Sequence, residues 1–308
     1  MNWIAVDLET TVDADKDILI TSVYTDEAEF AWCYGIPEGR VKELMLKADG
    51  WITHNGTNFD LPLLLIQSDL ELPEHVFDTL IGEGCILTSG RSSLSRSLAN
   101  TLNRHKMPPK LSIDHKGWNQ RPLSDEQIEY LVHDVQALHR LMADQRRLAR
   151  ARGTIEAMEE EMVFSKAVAQ MIANGMPLNI DAYNIALETN RDTIAKLSSR
   201  LEHEYGYAGS PRSAQKVKDF VKARTGHVIP DTKKGTLAIE AMYDEGVECL
   251  LQLRDALKQE SVYDDKFLAK HLCRDHKVRS NFRQVDLTMT RCHTLTTSES
   301  LHGREPAR

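Results

Sequence analysis

The amino-acid sequence predicts an α/β domain, a mixed sheet flanked by helices, followed by an all-helical domain. Three observations support this prediction. Short apolar segments come first and then alternate with helical segments, which is the order typical of a sheet covered by helices. After about Arg152 the strand pattern fades, and amphipathic helical segments fill most of the remaining chain. The length of 308 residues is enough for about two domains.

Residues 1–152 form the predicted α/β domain. Its strands are short apolar segments bounded by polar turn residues, and in order they are WIAVDL, DILITSVYTD, AEFAWCYGI, GWITHNG and HVFDTL. Its helices are PEGRVKELMLKAD, DLPLLLIQSDL, segments within RSSLSRSLANTLNRH, and SDEQIEYLVHDVQALHRLMADQRRLARAR. Ser124 opens the last helix and Gln127 follows three residues later, which is the pattern of a capping box.

Residues 153–282 form the predicted helical domain. Its segments have apolar residues at helical spacing, and they are IEAMEEEMVFSKAVAQMIANG, IDAYNIALETNRDTIAKLSSRLEHEYG, SAQKVKDFVKARTG and LAIEAMYDEGVECLLQLRDALKQESVYDDKFLAKH. Residues 283–308 are polar and have no periodicity, so we expect them to be disordered.

Composition excludes several classes of protein. The chain is 41% hydrophobic and 27% charged, as in ordinary globular proteins. No apolar run approaches the roughly 20 residues that a membrane span needs, and the first residues do not have the pattern of a signal peptide. The five cysteines are scattered without a C-x-x-C pair, which indicates reduced thiols in a cytosolic protein.

The formal net charge of −8 is unevenly distributed along the chain. Residues 1–148 carry 14 Lys and Arg against 23 Asp and Glu, whereas residues 149–308 carry 24 against 23. The first half is therefore a poor partner for nucleic acid unless bound cations offset its charge. The second half has a basic cluster from Arg212 to Lys234, which fits either phosphate contacts or a solvated helix face.

Acidic residues occur at three places where an apolar pattern predicts burial. Asp7 and Glu9 are two apart in a strand, so their side chains leave the same face. Tyr130 and Asp134 are four apart in a helix and also share a face. Asp60 opens a helix, where one acid is ordinary. Buried acids of like charge need a cation to be tolerated, and all-oxygen ligands suit Mg²⁺ or Mn²⁺.

At this point the sequence resembles a known family. VDLET, HNGTNFD and YLVHD resemble, in order, the three motifs of DEDD-type 3′–5′ exonucleases. Tyr130 is four residues before Asp134, as in the tyrosine subgroup, and Glu129 stands where the sister subgroup has His. The resemblance implies a ribonuclease H-like fold in which Tyr130 orients the attacking water. It also implies that two Mg²⁺ or Mn²⁺ ions are held by the residues that we call the four acids: Asp7, Glu9, Asp60 and Asp134.

The resemblance also implies substrate contacts beside the four acids. Thr10, His54, Asn55 and Phe59 are the candidates for contacts with the 3′ end of a single strand. Phe59 fits core packing as well, and core packing is the interpretation that we favour. We expect no base-specific readout, because single strands are held by backbone contacts and stacking.

Later segments resemble the thumb of family A DNA polymerases. GSPRSAQKVKDFV, DTKKGTLAIEAM and LLQLRDALKQESVYDD are similar to thumb segments, which implies phosphate contacts from Arg212, Lys216, Lys233 and Lys234. HKVRSNFRQ resembles the approach to the palm, and there the likeness ends, since TMTRCHTLTT lacks a Gly before Arg291. We therefore expect no nucleotide addition by this chain alone, and a separate palm subunit is a possible partner.

The leading hypothesis is a metal-dependent 3′–5′ DNA exonuclease of the proofreading type. It would act on single-stranded 3′ ends and primer–template duplexes in the cytoplasm of a bacterial or phage-infected cell. One alternative is an RNA exonuclease similar to RNase D. Another is a catalytically silent nucleic-acid-binding scaffold, against which the presence of Tyr130 and all four acids argues.

Overall fold

The computed structural model describes residues 1–87, 94–113 and 117–282, and they form two compact units. Unit 1 comprises Met1–Gly175 together with residues 279–282, and unit 2 comprises Met176–Val278. The predicted polar tail, 283–308, lies outside the described residues.

Unit 1 contains five strands and six helices within the described residues. The strands are β1 Trp3–Thr10, β2 Ile18–Thr25, β3 Phe30–Tyr34, β4 Gly50–Thr53 and β5 His75–Asp78. The helices are α1 Gly39–Lys47, α2 Asp60–Gln67, α3 Thr79–Ile86, α4 Leu98–Arg104, α5 Asp125–Arg152 and α6 Ile155–Asn174.

The five strands form one mixed sheet in the order β3-β2-β1-β4-β5. The β1–β2 and β2–β3 pairs are antiparallel, while β1–β4 and β4–β5 are parallel. This arrangement confirms the predicted ribonuclease H-like α/β fold followed by a helical region. Because β1, β4 and β5 are parallel, their carboxyl ends meet at one edge of the sheet, which is where ligands bind in such sheets.

The two faces of β1 are covered by different helices. Ile4, Val6 and Leu8 belong to a core cluster with residues of α1 and α2. Ala5, on the other face, packs in a second cluster with α3, α4 and α5. Since side chains alternate along a strand, Asp7 and Glu9 lie on the face that α5 covers.

Three boundaries differ from the sequence predictions. The segment HVFDTL is extended only to Asp78, whose carboxylate caps the helix that starts at Thr79. The fourth helix begins at Leu98 after the N-cap Ser97, while residues 88–93 of the predicted segment lie outside the described residues. The compact units divide after Gly175 and not at residue 152, because Met158 and Met162 of α6 are buried in the core of unit 1.

Unit 2 is built mainly from helices. These are α7 Ile180–His203, α8 Ala214–Thr225, α9 Lys234–Ala241, α10 Glu245–Val262 and α11 Asp265–His271. A short antiparallel pair, β6 Met176–Pro177 and β7 Lys277–Val278, joins the two ends of the unit. Its core includes Leu201, Val217, Val221, Leu237 and Leu250, which are all buried.

Candidate active site

Strand β1 and helix α2 bring three of the four acids to one edge of the sheet. Asp7 and Glu9 lie near the carboxyl end of β1, and the pairing with β2 shifts register between Glu9 and Thr10, as at a bulge or a similar irregularity. Bulges redirect side chains next to many active sites. Asp60 is 3% exposed, and its Oδ1 accepts a hydrogen bond of 3.1 Å from the Leu8 backbone N–H. Asp60 is therefore fixed directly against the strand that carries Asp7 and Glu9.

Helix α5 supplies the other two predicted residues. Its start is fixed by a capping box in which the Ser124 hydroxyl accepts from the Gln127 N–H and the Gln127 side chain accepts from the Ser124 N–H. Tyr130 and Asp134 lie one helical turn apart on the face toward β1, and they are 3% and 4% exposed. The Tyr130 ring packs against Trp118, with 5.8 Å between the ring centroids.

The four acids influence one another electrostatically. Burial, and then the charge of Asp134, raise the pKa of Asp7 to about 7. Burial, and then Asp7 and Asp134, raise the pKa of Glu9 to about 8. Burial and the charge of Asp7 hold the pKa of Asp60 well above its usual range. These mutual effects on pKa show that the predicted acids lie close enough to interact.

Lys110 supplies positive charge to this site. Its position in the sequence did not predict this contact, because it lies in a segment without periodicity. Its Nζ donates to Asp134 Oδ2 at 2.5 Å and lies 4.9 Å from the centroid of the Tyr130 ring. The other carboxylate oxygen, Asp134 Oδ1, is buried and has no hydrogen-bond partner among the described residues. The ammonium also opposes the upward pKa shifts of Asp7 and Glu9.

The donor chemistry of the site fits hard divalent cations. Within residues 1–87, 94–113 and 117–282, no three His, Cys, Asp or Glu side chains form a ready-made metal-binding group. The four acids nevertheless influence one another electrostatically, and Asp134 Oδ1 is a buried acceptor without a partner among the described residues. Oxygen-only ligands with excess negative charge are what Mg²⁺ and Mn²⁺ prefer. In donor type the four acids suit the ions that the sequence predicted, and their role as ligands stays a prediction.

The loop after β4 is held in place by Asp78, which sequence analysis did not single out. Its Oδ1 accepts from the Asn55 N–H at 2.9 Å, and its Oδ2 accepts from the Thr57 N–H at 3.0 Å. Gly56 is required because a Cβ there would come within 2.3 Å of the Thr53 Cβ. The only sequence signal for Asp78 was its position at a strand-to-helix boundary, which is a frequent place for an acidic N-cap.

The predicted substrate contacts in unit 1 line this same edge. The His54 Nδ1 lies 2.8 Å from Thr79 Oγ1, and its Nε2 is buried without a partner among the described residues. Burial lowers the pKa of His54, so the ring is neutral near pH 7. The Thr10 hydroxyl donates to the Thr11 carbonyl at 3.0 Å, and Phe59 packs against the core with Lys16 Nζ 4.8 Å from its ring. Their contacts with substrate stay predictions.

The four predicted thumb cations lie in unit 2. Arg212, Lys233 and Lys234 line a cavity of about 630 Å³, and all three are exposed. Lys233 pairs with Asp231 at 3.3 Å and Lys234 with Asp255 at 2.6 Å. Lys216 is exposed in the first turn of α8. Their phosphate contacts stay predictions.

Comparisons with known proteins agree with this fold. No protein-family model matches the chain. The chain is 25% identical over 311 residues to DNA polymerase I of Aquifex aeolicus (strain VF5), which covers 92% of this chain and 51% of that protein. It thus spans about half the length of the curated relative that it matches.

Two solved structures are compared with this chain, and only the first of them has a TM-score above 0.5. The POL domain of Pol1 from M. smegmatis, in complex with DNA primer-template and dNTP, has a TM-score of 0.68 at 12% identity over 92% of this chain and 49% of that chain. Brucella melitensis NrnC with bound Mg²⁺ has a TM-score of 0.47 at 22% identity over 55% of this chain and 83% of that chain. The first likeness establishes the fold of the described residues.

Proposed function

We propose that this protein is a metal-dependent 3′–5′ exonuclease that removes nucleotides from the 3′ ends of DNA. The observation that carries the proposal is the convergence of the four acids and Tyr130 at the carboxyl edge of the sheet, with the pKa of Asp7, Glu9 and Asp60 all raised. Perturbed groups clustered at such an edge are typical of catalytic sites. Asp7, Glu9 and Asp134 would hold one divalent ion, and Asp7 with Asp60 a second.

Bound divalent ions would lower the pKa of a water molecule and offset charge on the leaving 3′ oxygen. The residues of this chain have separate tasks in that setting. Burial, and then the charges of Asp134 and Glu9, raise the pKa of Tyr130 further above neutral pH. A tyrosine hydroxyl is protonated near pH 7 even at its ordinary pKa of about 10, so Tyr130 would orient the attacking water as a neutral phenol. The loop fixed by Asp78 would place His54 and Asn55 beside the terminal nucleotide.

DNA is the favoured substrate because the similarity to DNA polymerase I extends over 92% of this chain. The cavity lined by Arg212, Lys233 and Lys234 supports phosphate binding in unit 2.

Within the part of the chain that the structure describes, none of the helices combines the length and hydrophobicity that a bilayer crossing requires. We do not propose template-directed DNA synthesis by this chain. A primer-extension assay with all four nucleotides tests for that activity.

The deciding experiment is digestion of a 5′-labelled single strand with Mg²⁺ by the protein and by Asp7→Asn. We expect a ladder of 3′-shortened products from the unaltered protein and nearly none from the variant. Asp69→Asn is the matched control, since Asp69 is an exposed acid paired with Lys42 on the surface. An RNA strand of the same base sequence, digested in parallel, shows whether the protein prefers RNA to DNA. Equal cleavage by Asp7→Asn would contradict the proposed site, and no cleavage by any form would favour a binding scaffold.

A further inference from the structure

Lys110 occupies a position at the four acids that a purely structural ion pair does not explain. Its Nζ reaches the buried Asp134 Oδ2, while its own side chain keeps 26% of its surface exposed against 4% for Asp134. Lys110 lies in an irregular segment just after Pro108 and Pro109 and outside any helix or strand. Its anchor is therefore the acid site itself, reached by a flexible four-carbon stem.

The contact leaves Asp134 half satisfied. One oxygen accepts from the ammonium, and the other is buried with no partner among the described residues. A complete structural ion pair would satisfy both oxygens, because an unpaired buried acceptor destabilises the folded protein. Asp134 thus has one oxygen paired with an ammonium group and a second oxygen that could accept another cation.

We propose that Lys110 is an exchangeable cation, which neutralises Asp134 in the metal-free protein and is displaced when a divalent ion binds there. This inference rests on the proposed function, since it assumes that Asp134 is a metal ligand. Lys110 and the divalent ion would compete for the same carboxylate, and the two positive charges would repel each other at close range. Lys110 is in this sense a positioning residue that keeps the acids together before metal arrives.

The test is a Mn²⁺ titration without nucleic acid, followed by the electron paramagnetic resonance signal of free Mn²⁺. The proteins are the unaltered chain, Lys110→Met, Lys110→Arg and the control Lys106→Met, which removes an exposed charge from the same segment. Removing the competitor should tighten Mn²⁺ binding about tenfold in Lys110→Met, the worth of one charged hydrogen bond. Lys110→Arg and Lys106→Met should bind close to the unaltered affinity.

A second readout separates competition from simple misfolding. Lys110→Met should have a lower melting temperature than the unaltered protein without metal, and saturating Mn²⁺ should raise it by a larger increment. If the unaltered protein binds Mn²⁺ and Lys110→Met binds it equally or more weakly, the exchange inference is wrong while the metal site stands. If none of the proteins binds Mn²⁺, the proposed function fails and the inference fails with it.

Discussion

Two groups of interacting acids in the described part of unit 1 have opposite electrostatic surroundings. In the first group, Glu83 accepts from Arg104 Nε at 2.7 Å, from His105 Nε2 at 2.8 Å and from Gln145 Nε2 at 3.1 Å. Asp144 completes it, since His105 Nδ1 lies 2.5 Å from its Oδ2. We call these residues the neutralised cluster.

The pKa shifts of the neutralised cluster are those of satisfied ion pairs. Burial alone would raise the pKa of Glu83, but the hydrogen bonds from His105, Arg104 and Gln145 lower it overall. Burial would likewise lower the pKa of His105, and its bonds to Glu83 and Asp144 raise it instead. Every buried charge there has a partner, so the cluster fulfils a structural role without a further ligand.

The four acids show the reverse. Burial raises the pKa of Asp7 and Glu9 to about 7 and about 8, and Lys110 offsets only part of this effect. Glu83 receives hydrogen bonds from an arginine, a histidine and an amide, whereas Lys110 is the one lysine that pairs with any of the four acids among the described residues. The comparison shows that the shortage of positive charge is local to the four acids, since Glu83 and Asp144 in the same unit are paired. Such a shortage at one place indicates a site for an external cation.

The largest expected effect is on stability, and it differs between the two groups. Glu83→Gln should lower the free energy of unfolding by about 3 kcal/mol, because it leaves the Arg104 guanidinium without its carboxylate and His105 with Asp144 alone. Asp7→Asn should leave the free energy of unfolding of the metal-free protein unchanged or higher, because it removes like-charge repulsion. Urea denaturation at pH 7.5 in EDTA measures both. A comparable loss in Asp7→Asn would remove the distinction between the groups.

The next effect is on rate alone. Tyr130→Phe should slow cleavage by about 10²-fold, since groups that orient or protonate contribute in that range. It should not abolish Mn²⁺ binding, because the hydroxyl is assigned to a water and not to a metal. Single-turnover cleavage at saturating metal gives the rate. Tyr34→Phe is the matched control, because Tyr34 is a half-buried tyrosine whose ring contacts Arg121 and which has no assigned catalytic role. An unchanged rate would count against the tyrosine-subgroup role.

A pH effect of moderate size follows from the raised pKa values. Folding raises the pKa of Asp7 from 3.8 to about 7 and that of Glu9 from 4.5 to about 8. At a pH between these values, the folded protein binds more protons at the two residues than the unfolded chain does. The free energy of unfolding of the metal-free protein should therefore fall as pH rises through this window. Melting temperatures measured in EDTA from pH 4 to pH 9 test this slope.

Mg²⁺ separates the two groups in that experiment. His105 has a raised pKa, so its stabilising contribution is complete below its unfolded pKa and is lost as pH rises through the folded pKa. Saturating Mg²⁺ should remove the slope that comes from Asp7 and Glu9 and leave the part that comes from His105. If Mg²⁺ does not alter the slope, then the acids do not receive the ion.

The smallest expected effect is on DNA affinity, and it tests whether the lysines of unit 2 contact phosphates. Lys233→Ala combined with Lys234→Ala should weaken binding to a single strand and reduce the slope of log affinity against log salt by about 0.7 for each lost contact. Fluorescence anisotropy with a labelled strand in Ca²⁺ measures this. Lys196→Ala on α7, an exposed lysine away from the cavity, should change little. An unaltered slope in the double variant would place the phosphate contacts elsewhere.

The sequence by itself determined the parts of the site that follow local periodicity. Asp7 and Glu9 had to share one face of a strand, and Tyr130 and Asp134 one face of a helix, because periods of 2 and 3.6 residues are fixed by backbone geometry. The capping box at Ser124 fixed where that helix starts, and it formed as predicted. The order of segments was sufficient to predict a sheet flanked by helices and the helical region after it, while the ribonuclease H-like form of the sheet was implied by the family resemblance.

Only the tertiary structure decided which of these faces meet and what else reaches them. The Leu8 N–H binds a carboxylate 52 residues away, and Lys110 reaches Asp134 across 24 residues from a segment without periodicity. Glu83 and His105 are 22 residues apart, and no spacing rule distinguishes that neutralised pair from the exposed charges around it. Neutralisation of a buried acid depends on which distant cation the loops bring near, and loop paths are set by packing of the whole unit, not by local pattern.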